Sequence, residues 1–245
     1  MNRETTNKIR FVLEDILPAF IRDSAAFKGF ASLVWGKHIA DLAKFRERAP
    51  FLTDEEYEAL YKHHPRVHEG TDNSKACLDR MALDARGTSI CDVGCGTGYT
   101  LDKIRDARRD MTRFVGVDFA IDDANAIKGI EYVAAKVEDL PFADNEFDTV
   151  ICTHVIEHVL DYRAAIAELR RITKKRLIII VPREREYRYT FNPHFNFFPY
   201  THSFLRAMQP VPAKHAVEDI KRDIYYYEDM SEPAENMMPI MDIVA

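Results

Sequence analysis

No stretch of the 245 residues approaches the ~20 consecutive apolar residues that a membrane-spanning helix requires, so a helical membrane span is not expected. Positive charge is not in excess either. The 34 Lys and Arg face 40 Asp and Glu, and the net charge of −6 argues against a broadly basic nucleic-acid surface. Cysteine is sparse: Cys77, Cys91, Cys95 and Cys152 form no CxxC pair, which gives neither a disulfide framework nor zinc-finger spacing. Reduced thiols in a cytoplasmic protein are the expectation. The opening residues Met1-Asn2-Arg3-Glu4-Thr5-Thr6 lack the apolar core of a signal peptide. What remains is an ordinary globular composition, 47% hydrophobic and 30% charged, long enough for one sizeable domain or a domain with an extension.

Glycine is also scarce, nine in all, yet three stand at alternate positions in Gly94-x-Gly96-x-Gly98. A short apolar strand, Ile90 to Val93, runs into this loop, and an amphipathic helix with Tyr99, Leu101, Ile104 and Ala107 follows. Glycines between strand and helix let a ligand approach the backbone, and the first N–H groups of the helix are free to meet a polar group. A nucleotide-like cofactor is predicted. The dinucleotide fingerprint is GxGxxG, whereas the spacing here is GxGxG, which disfavours a nicotinamide oxidoreductase. A second strand, Arg113 to Val117, ends in Asp118, twenty residues after Gly98. A carboxylate there is suited to both ribose hydroxyls of a bound adenosine; the competing reading is a cap for a helix near Ile121.

Asp92-Val93-Gly94-Cys95-Gly96-Thr97-Gly98 closely resembles the first motif of class I S-adenosylmethionine-dependent methyltransferases. The run Glu138-Asp139-Leu140-Pro141-Phe142-Ala143-Asp144-Asn145-Glu146-Phe147-Asp148 resembles the branch that contains ubiquinone and menaquinone biosynthetic enzymes, the methyltransferase type 11 branch. The likeness covers roughly residues 86–205. It implies S-adenosylmethionine as cofactor, bound by Asp92, Gly94, Cys95, Gly96, Gly98, Asp118, Phe119, Val137, Glu138, Asp139, Leu140 and His154. Leu140 and Phe142 are expected to cover an adenine face. One departure is Lys136, where many relatives carry an Asp that binds the adenine amino group. Lysine has no acceptor, so adenine falls to the Val137 N–H and Glu138 or is held differently.

Strands are predicted at 88–93, 113–118, 130–135, 147–153 and 176–181, and helices at 98–109, 121–128 and 161–173. This alternation predicts an α/β fold: a doubly wound, mostly parallel, Rossmann-like sheet of the seven-stranded type, with ligands at the carboxyl ends of its strands. Residues 1–85 read as a helical extension serving as lid, cap or dimer surface, 86–229 as the catalytic domain and 230–245 as a tail. In the extension, Ile9, Leu13, Ile16, Leu17, Phe20 and Ile21 share a helical face that Pro18 should interrupt, Thr53 to Glu56 resembles a capped start, and Asp72-Asn73 should cap a helix containing Cys77, Leu78 and Met81. Only one late strand is visible, around residues 223–228.

Methyl transfer to a hydroxyl needs a group to take its proton. His154, first after the fourth strand, and His158, one turn later, are the leading candidates, followed by His194 in the segment Asn192 to Phe198, which is similar to a loop that walls the acceptor pocket in relatives. His202 and Tyr200 are weaker candidates. His154-x-x-Glu157-His158 shares letters with one zinc-protease motif, and a related ExxEH arrangement in ubiquinone O-methyltransferases resembles a divalent-metal site; with His154 in place of the first Glu, no metal is expected. His63, His64 and His68 read as a surface loop rather than ligands. Four Phe and three Tyr within 187–200 suit an aromatic or apolar acceptor, and Arg183 and Arg185 either bind an anionic group or are solvated.

The expected function is methyl transfer to an oxygen or nitrogen of a small-molecule acceptor by a cytoplasmic monomer or homodimer, with nucleic acid disfavoured as a partner. The alternatives are a carrier-bound saccharide, lipid or RNA as acceptor, or a protein that binds the donor without catalysis.

Overall fold

The computed structural model describes residues 8–9, 11–35, 45–53, 55–57, 59, 70–121, 126–186, 188 and 193–230. Its centre is a seven-stranded sheet: β1 (Ser89–Val93), β2 (Arg113–Asp118), β3 (Glu131–Ala134), β4 (Phe147–Thr153), β5 (Thr173–Pro182), β6 (His215–Ile220) and β7 (Asp223–Asp229). The strand order is β3-β2-β1-β4-β5-β7-β6. The first five positions in that order are joined by parallel pairings, while β7 is antiparallel to β5 and β6 to β7. The order reverses between β1 and β4, which opens a crevice at their carboxyl ends, the usual ligand position of such sheets.

The sheet is buried on both faces. On one, Cys91, Val93, Val115, Val117, Val150, Cys152, Leu177 and Ile179 join a core with residues of α4 (Tyr162–Ile172) and α5 (Thr201–Ala207). On the other, Ile90, Ile151, Ile178, Ile180 and Tyr225 cluster with residues of α2 (Lys75–Asp84) and α3 (Tyr99–Ala107). Burial of both faces explains why Leu177 to Val181 is apolar throughout.

Several local expectations change. The helix before β1 is capped by Ser74, whose side chain accepts from Cys77 N at 3.2 Å, one residue after the expected Asp72-Asn73. Within the 121–128 prediction, residues 122–125 lie outside the described residues, and 121 and 126–128 are not helical. Here Tyr132 of β3 is the organiser: its hydroxyl accepts from Ile127 N at 3.1 Å and donates to the Thr97 carbonyl at 2.9 Å. The late strand is accompanied by a second, β6, an edge strand with no fully buried residue. Its turn to β7 uses Lys221 and Arg222 at φ of 54° and 75°, a left-handed pair that glycine or asparagine ordinarily occupies.

In the N-terminal extension, Pro18 does interrupt the helix. A π-helical turn, Val12–Ile16, ends before it and a single α-turn, Ala19–Arg22, restarts after it. The apolar face is not buried: Ile16, Phe20 and Leu33 (the last on α1, Ala25–Trp35) are exposed. The capping box at Thr53 forms in both directions, Thr53 N to Glu56 Oε2 at 2.9 Å and Glu56 N to Thr53 Oγ1 at 3.3 Å. His63, His64 and His68, and residues 231–245 of the tail, lie outside the described residues.

Candidate active site

The loop after β1 is shaped by its glycines. Gly94, Gly96 and Gly98 have φ of 85°, 54° and 82°. A Cβ on Gly94 would run into Val155, and one on Gly98 into the Tyr132 hydroxyl. Gly94 N and Cys95 N donate to the Val117 carbonyl at 2.7 and 2.9 Å, which ties the loop to the end of β2. Asp118 closes the arrangement: its Oδ2 accepts from Gly96 N at 2.8 Å and its Oδ1 from Ala120 N at 3.3 Å. It does not cap a described helix.

Asp92, the last residue but one of β1, is 1% exposed, and its Oδ1 has no hydrogen-bond partner among the described residues. Burial, then the negative charge of Asp118, pushes its carboxyl up to about 8. Such a carboxylate is suited to a cation brought by a ligand. Asn73, also buried, bonds Thr153 Oγ1 at 2.9 Å through Nδ2, and its Oδ1 is likewise without a partner among the described residues. Thr153 and Asp92 lie on neighbouring strands and on the same sheet face, since Asp92 pairs with Ile151. Asn73 was not anticipated as more than a cap; no sequence pattern marks it.

The segment expected to hold adenine makes a tight turn. Asp139 N donates to the Lys136 carbonyl at 3.1 Å, and Leu140 N to Glu168 Oε2 at 3.0 Å. Val137 and Leu140 are buried in the core, and Phe142 packs edge-on against Phe147 at 4.9 Å. Those apolar side chains are therefore engaged in packing. Glu138 is half-buried, Lys136 and Asp139 are exposed, and Phe119, beside Asp118, is 36% exposed.

At the end of β4, His154 takes φ of 56°, a left-handed backbone unusual for histidine, while its N–H still bonds the Ile180 carbonyl at 2.9 Å. The residues Ile156–His158 form a 3-10 turn, not the α-helix on which the protease motif depends. His154 Nδ1 lies 3.6 Å from Glu157 Oε1 and His158 Nε2 lies 4.0 Å from the same atom, so both histidines meet at Glu157, 1% exposed. Although burial pushes the Glu157 carboxyl up, the His154 hydrogen bond and the neighbouring histidine charges hold it below its ordinary value. Burial, then the charge of His194, pulls the His158 imidazole down.

His194 is brought to the same place by its loop. Phe195 N and Asn196 N donate to the Glu157 carbonyl at 2.7 and 3.1 Å, and Asn196 Nδ2 to the carbonyls of Ile156 and Val159 at 2.8 and 2.7 Å. The rings of His194 and His158 meet edge to face at 4.6 Å, and His194 Nδ1 pairs with Glu184 at 2.6 Å. Glu184, 2% exposed, was not singled out by the sequence because nothing in Pro182-Arg183-Glu184-Arg185 distinguishes a buried acid from a solvated one. Phe195 also packs on Phe45 at 4.9 Å and Tyr57 at 6.2 Å, and the Tyr57 hydroxyl donates to the His158 carbonyl at 2.6 Å. His202 and Tyr200 stack on each other at 5.1 Å. Arg183 and Arg185 are paired with Asp219 and Asp15.

A family model described as a methyltransferase domain matches residues 91–181, from β1 through β5. Residues 91–181 thus resemble a methyltransferase domain. Family and fold imply S-adenosylmethionine as the cofactor, and the orphaned Asp92 carboxylate and the glycine cradle fit it. The chain is similar to a demethylmenaquinone methyltransferase of Renibacterium salmoninarum, 33% identical over 103 residues, 39% of this chain and 42% of that protein. It is also similar to a ubiquinone biosynthesis O-methyltransferase of Neisseria meningitidis, 35% identical over 101 residues, 37% of this chain and 42% of that protein. The chain thus spans 42% of the length of either relative. A solved structure of a Pyrococcus horikoshii protein shares the fold, with a TM-score of 0.51 and 18% identity, over 70% of this chain and 98% of that one.

Proposed function

We propose that this chain transfers the methyl group of S-adenosylmethionine to an oxygen or nitrogen of a small acceptor. The observation that carries the reading is Asp92, a buried carboxylate with an unpartnered oxygen among the described residues, at the strand end that leads into the glycine loop. It matches the α-ammonium of the donor. Asp118 takes the ribose hydroxyls, and the Val137 N–H with Glu138 takes the adenine edge.

The donor methyl is already activated by its sulfonium. The acceptor's lone pair attacks the methyl carbon in line, the carbon–sulfur bond breaks with its electron pair going to sulfur, and S-adenosylhomocysteine leaves. Holding the partners aligned supplies about 7–11 kcal/mol in favourable cases. The proton of an acceptor hydroxyl goes to His154, oriented by Glu157 at 3.6 Å, while His158 and His194 line the acceptor side.

An apolar or aromatic acceptor is favoured by the ring-rich loop at 193–200 and the rings of Phe45 and Tyr57 packed on it. This contact also supports a lid role for the N-terminal extension. Two similar proteins are named for quinone biosynthesis, which agrees with a ring-bearing acceptor. Calorimetric titration with S-adenosylhomocysteine and with NAD, followed by transfer of a labelled methyl group to a panel of phenols, hydroquinones and amines, tests the reading. Binding of NAD alone overturns it.

A further inference from the structure

Three arginines gather at the carboxyl end of β5. Pro182, the last residue of β5, pairs with Asp223, the first of β7. Arg183 and Arg222, the next residues out, stand side by side, and Arg183 N donates to the Arg222 carbonyl at 2.8 Å. Arg185 joins them in a small cleft lined by Glu14, Asp15, Arg183, Arg185, Pro199 and Arg222. Arg222 takes φ of 75°, a left-handed backbone that an arginine holds at a cost, and such positions cluster at binding sites. Glu184, between Arg183 and Arg185 in the chain, turns instead to His194 at 2.6 Å, so the arginines share a segment with the acceptor side of the candidate active site.

The cleft is filled by acids of the N-terminal extension. Arg222 Nη1 donates to Asp15 Oδ2 at 2.6 Å and Nη2 to Glu14 Oε2 at 2.8 Å, while Arg185 Nη2 lies 4.0 Å from Asp15 Oδ1. Although burial pushes the Asp15 carboxyl up, Arg222, then Arg185 and Arg183, hold it below its ordinary value. The turn that carries both acids, Val12–Ile16, gains little from apolar burial, since Phe11, Val12 and Ile16 are exposed. An enclosed ion pair adds little net stability, because desolvation offsets the attraction. The two carboxylates are therefore exchangeable for a ligand of equal charge. Together they carry two negative charges, and a phosphate monoester carries about −1.5 to −2 at neutral pH with three acceptor oxygens. Guanidinium forks fit that group, and Arg222 Nε, buried and without a hydrogen-bond partner among the described residues, supplies a further donor.

We propose that Arg183, Arg185 and Arg222 form a subsite for a phosphate monoester group carried by the methyl acceptor, with Glu14 and Asp15 as an internal anion that the acceptor displaces. The ring of the acceptor then lies toward Pro199 and Tyr200, whose hydroxyl accepts from Arg185 Nη2 at 3.5 Å. That the phosphate belongs to the acceptor rests on the methyl-transfer reading above. Its binding to the arginines does not.

The test titrates the full chain with phenyl phosphate and, separately, with inorganic phosphate in a calorimeter. One phenyl phosphate per chain is expected. Arg222→Ala weakens it at least tenfold, and Glu14→Gln combined with Asp15→Asn, which removes the internal anion and keeps the arginines, tightens it at least tenfold. Arg109→Ala, an exposed arginine paired with Asp106, leaves it unchanged. Absence of binding by both the wild type and the Glu14→Gln, Asp15→Asn variant overturns the proposal, as does equal affinity of the two. Should Arg222→Ala fail to fold, the comparison of those two proteins decides. Phenyl phosphate binding at least tenfold more tightly than inorganic phosphate supports a group borne by the acceptor, and equal affinity for the two overturns that assignment in favour of a free anion. S-adenosylhomocysteine titrated into the same samples reads the donor site separately, so loss of donor binding with phenyl phosphate still bound counts against the methyl-transfer reading alone.

Discussion

Asp118 Oδ2 accepts a hydrogen bond from the Gly96 amide at 2.8 Å, joining the end of β2 to the middle of the glycine loop. The same carboxylate is the proposed ribose ligand, so under the proposed function it would both shape the loop and bind the donor. Asp118→Ala is expected to weaken S-adenosylhomocysteine by about 1–3 kcal/mol through lost charge-assisted hydrogen bonds, measured by calorimetry. Unchanged affinity would place the ribose elsewhere.

Gly94 lies where a side chain would meet Val155 just beyond the end of β4, and its φ of 85° disfavours any other residue. Gly94→Ala is expected to lower donor affinity sharply while Gly94→Ala combined with Val155→Ala recovers part of it, since the double change removes the collision but not the backbone strain. Equal affinity of the wild type and the single variant, read by the same titration, would show that the loop has room to spare.

Asp92 gives a pH dependence of definite sign. Its carboxyl sits at about 8 in the folded chain against 3.8 in an unfolded one, so the folded state binds the extra proton between those values. The contribution to stability is complete below the unfolded value and is lost as pH rises through the folded one. Asp92→Asn is therefore expected to gain in melting temperature relative to the wild type between pH 5 and pH 8. Binding an ammonium beside Asp92 expels that proton, so S-adenosylhomocysteine affinity should rise with pH over the upper part of this window in the wild type and stay flat in Asp92→Asn. Calorimetry in buffers of different ionisation enthalpy measures the released proton directly.

Arg170 of α4 grips the fully buried Glu228 of β7 with two bonds, Nε to Oε1 at 2.7 Å and a terminal nitrogen to Oε2 at 2.8 Å, while the Tyr226 hydroxyl donates to Oε2 at 2.5 Å. Arg170→Leu leaves that carboxylate buried without its cation and is expected to cost about 3–5 kcal/mol in urea unfolding. Arg170→Leu with Glu228→Gln should recover much of the loss. If the single change costs under 1 kcal/mol, water reaches Glu228 and the pair is not as enclosed as it stands.

The central strands and the glycine loop were legible because their signals are local. An apolar run buried on both faces announces β5, and glycines at alternate positions announce a tight loop with left-handed backbone that leaves no room for side chains at Gly94 and Gly98. Edge strand β6 was not legible: half exposed, it needs no apolar alternation, and the Lys221-Arg222 turn takes left-handed backbone without the residues that usually signal it. The exposed apolar side chains of the N-terminal extension mark the same boundary, since periodicity shows that residues share a face but not whether anything covers it.

The candidate catalytic group divides the same way. Sequence alone determined that His154 and His158 follow a buried strand and that His194 lies in an aromatic loop. Only the tertiary structure decided that all three gather on Glu157, that Glu184 stands behind His194, and that Tyr57 of the extension reaches the His158 carbonyl. The reason is the range of the forces involved. Backbone conformation and strand burial are set by neighbours a few residues away, whereas a buried carboxylate finds its partners through loops of unrelated sequence whose hydrogen bonds form only when the sheet is in place.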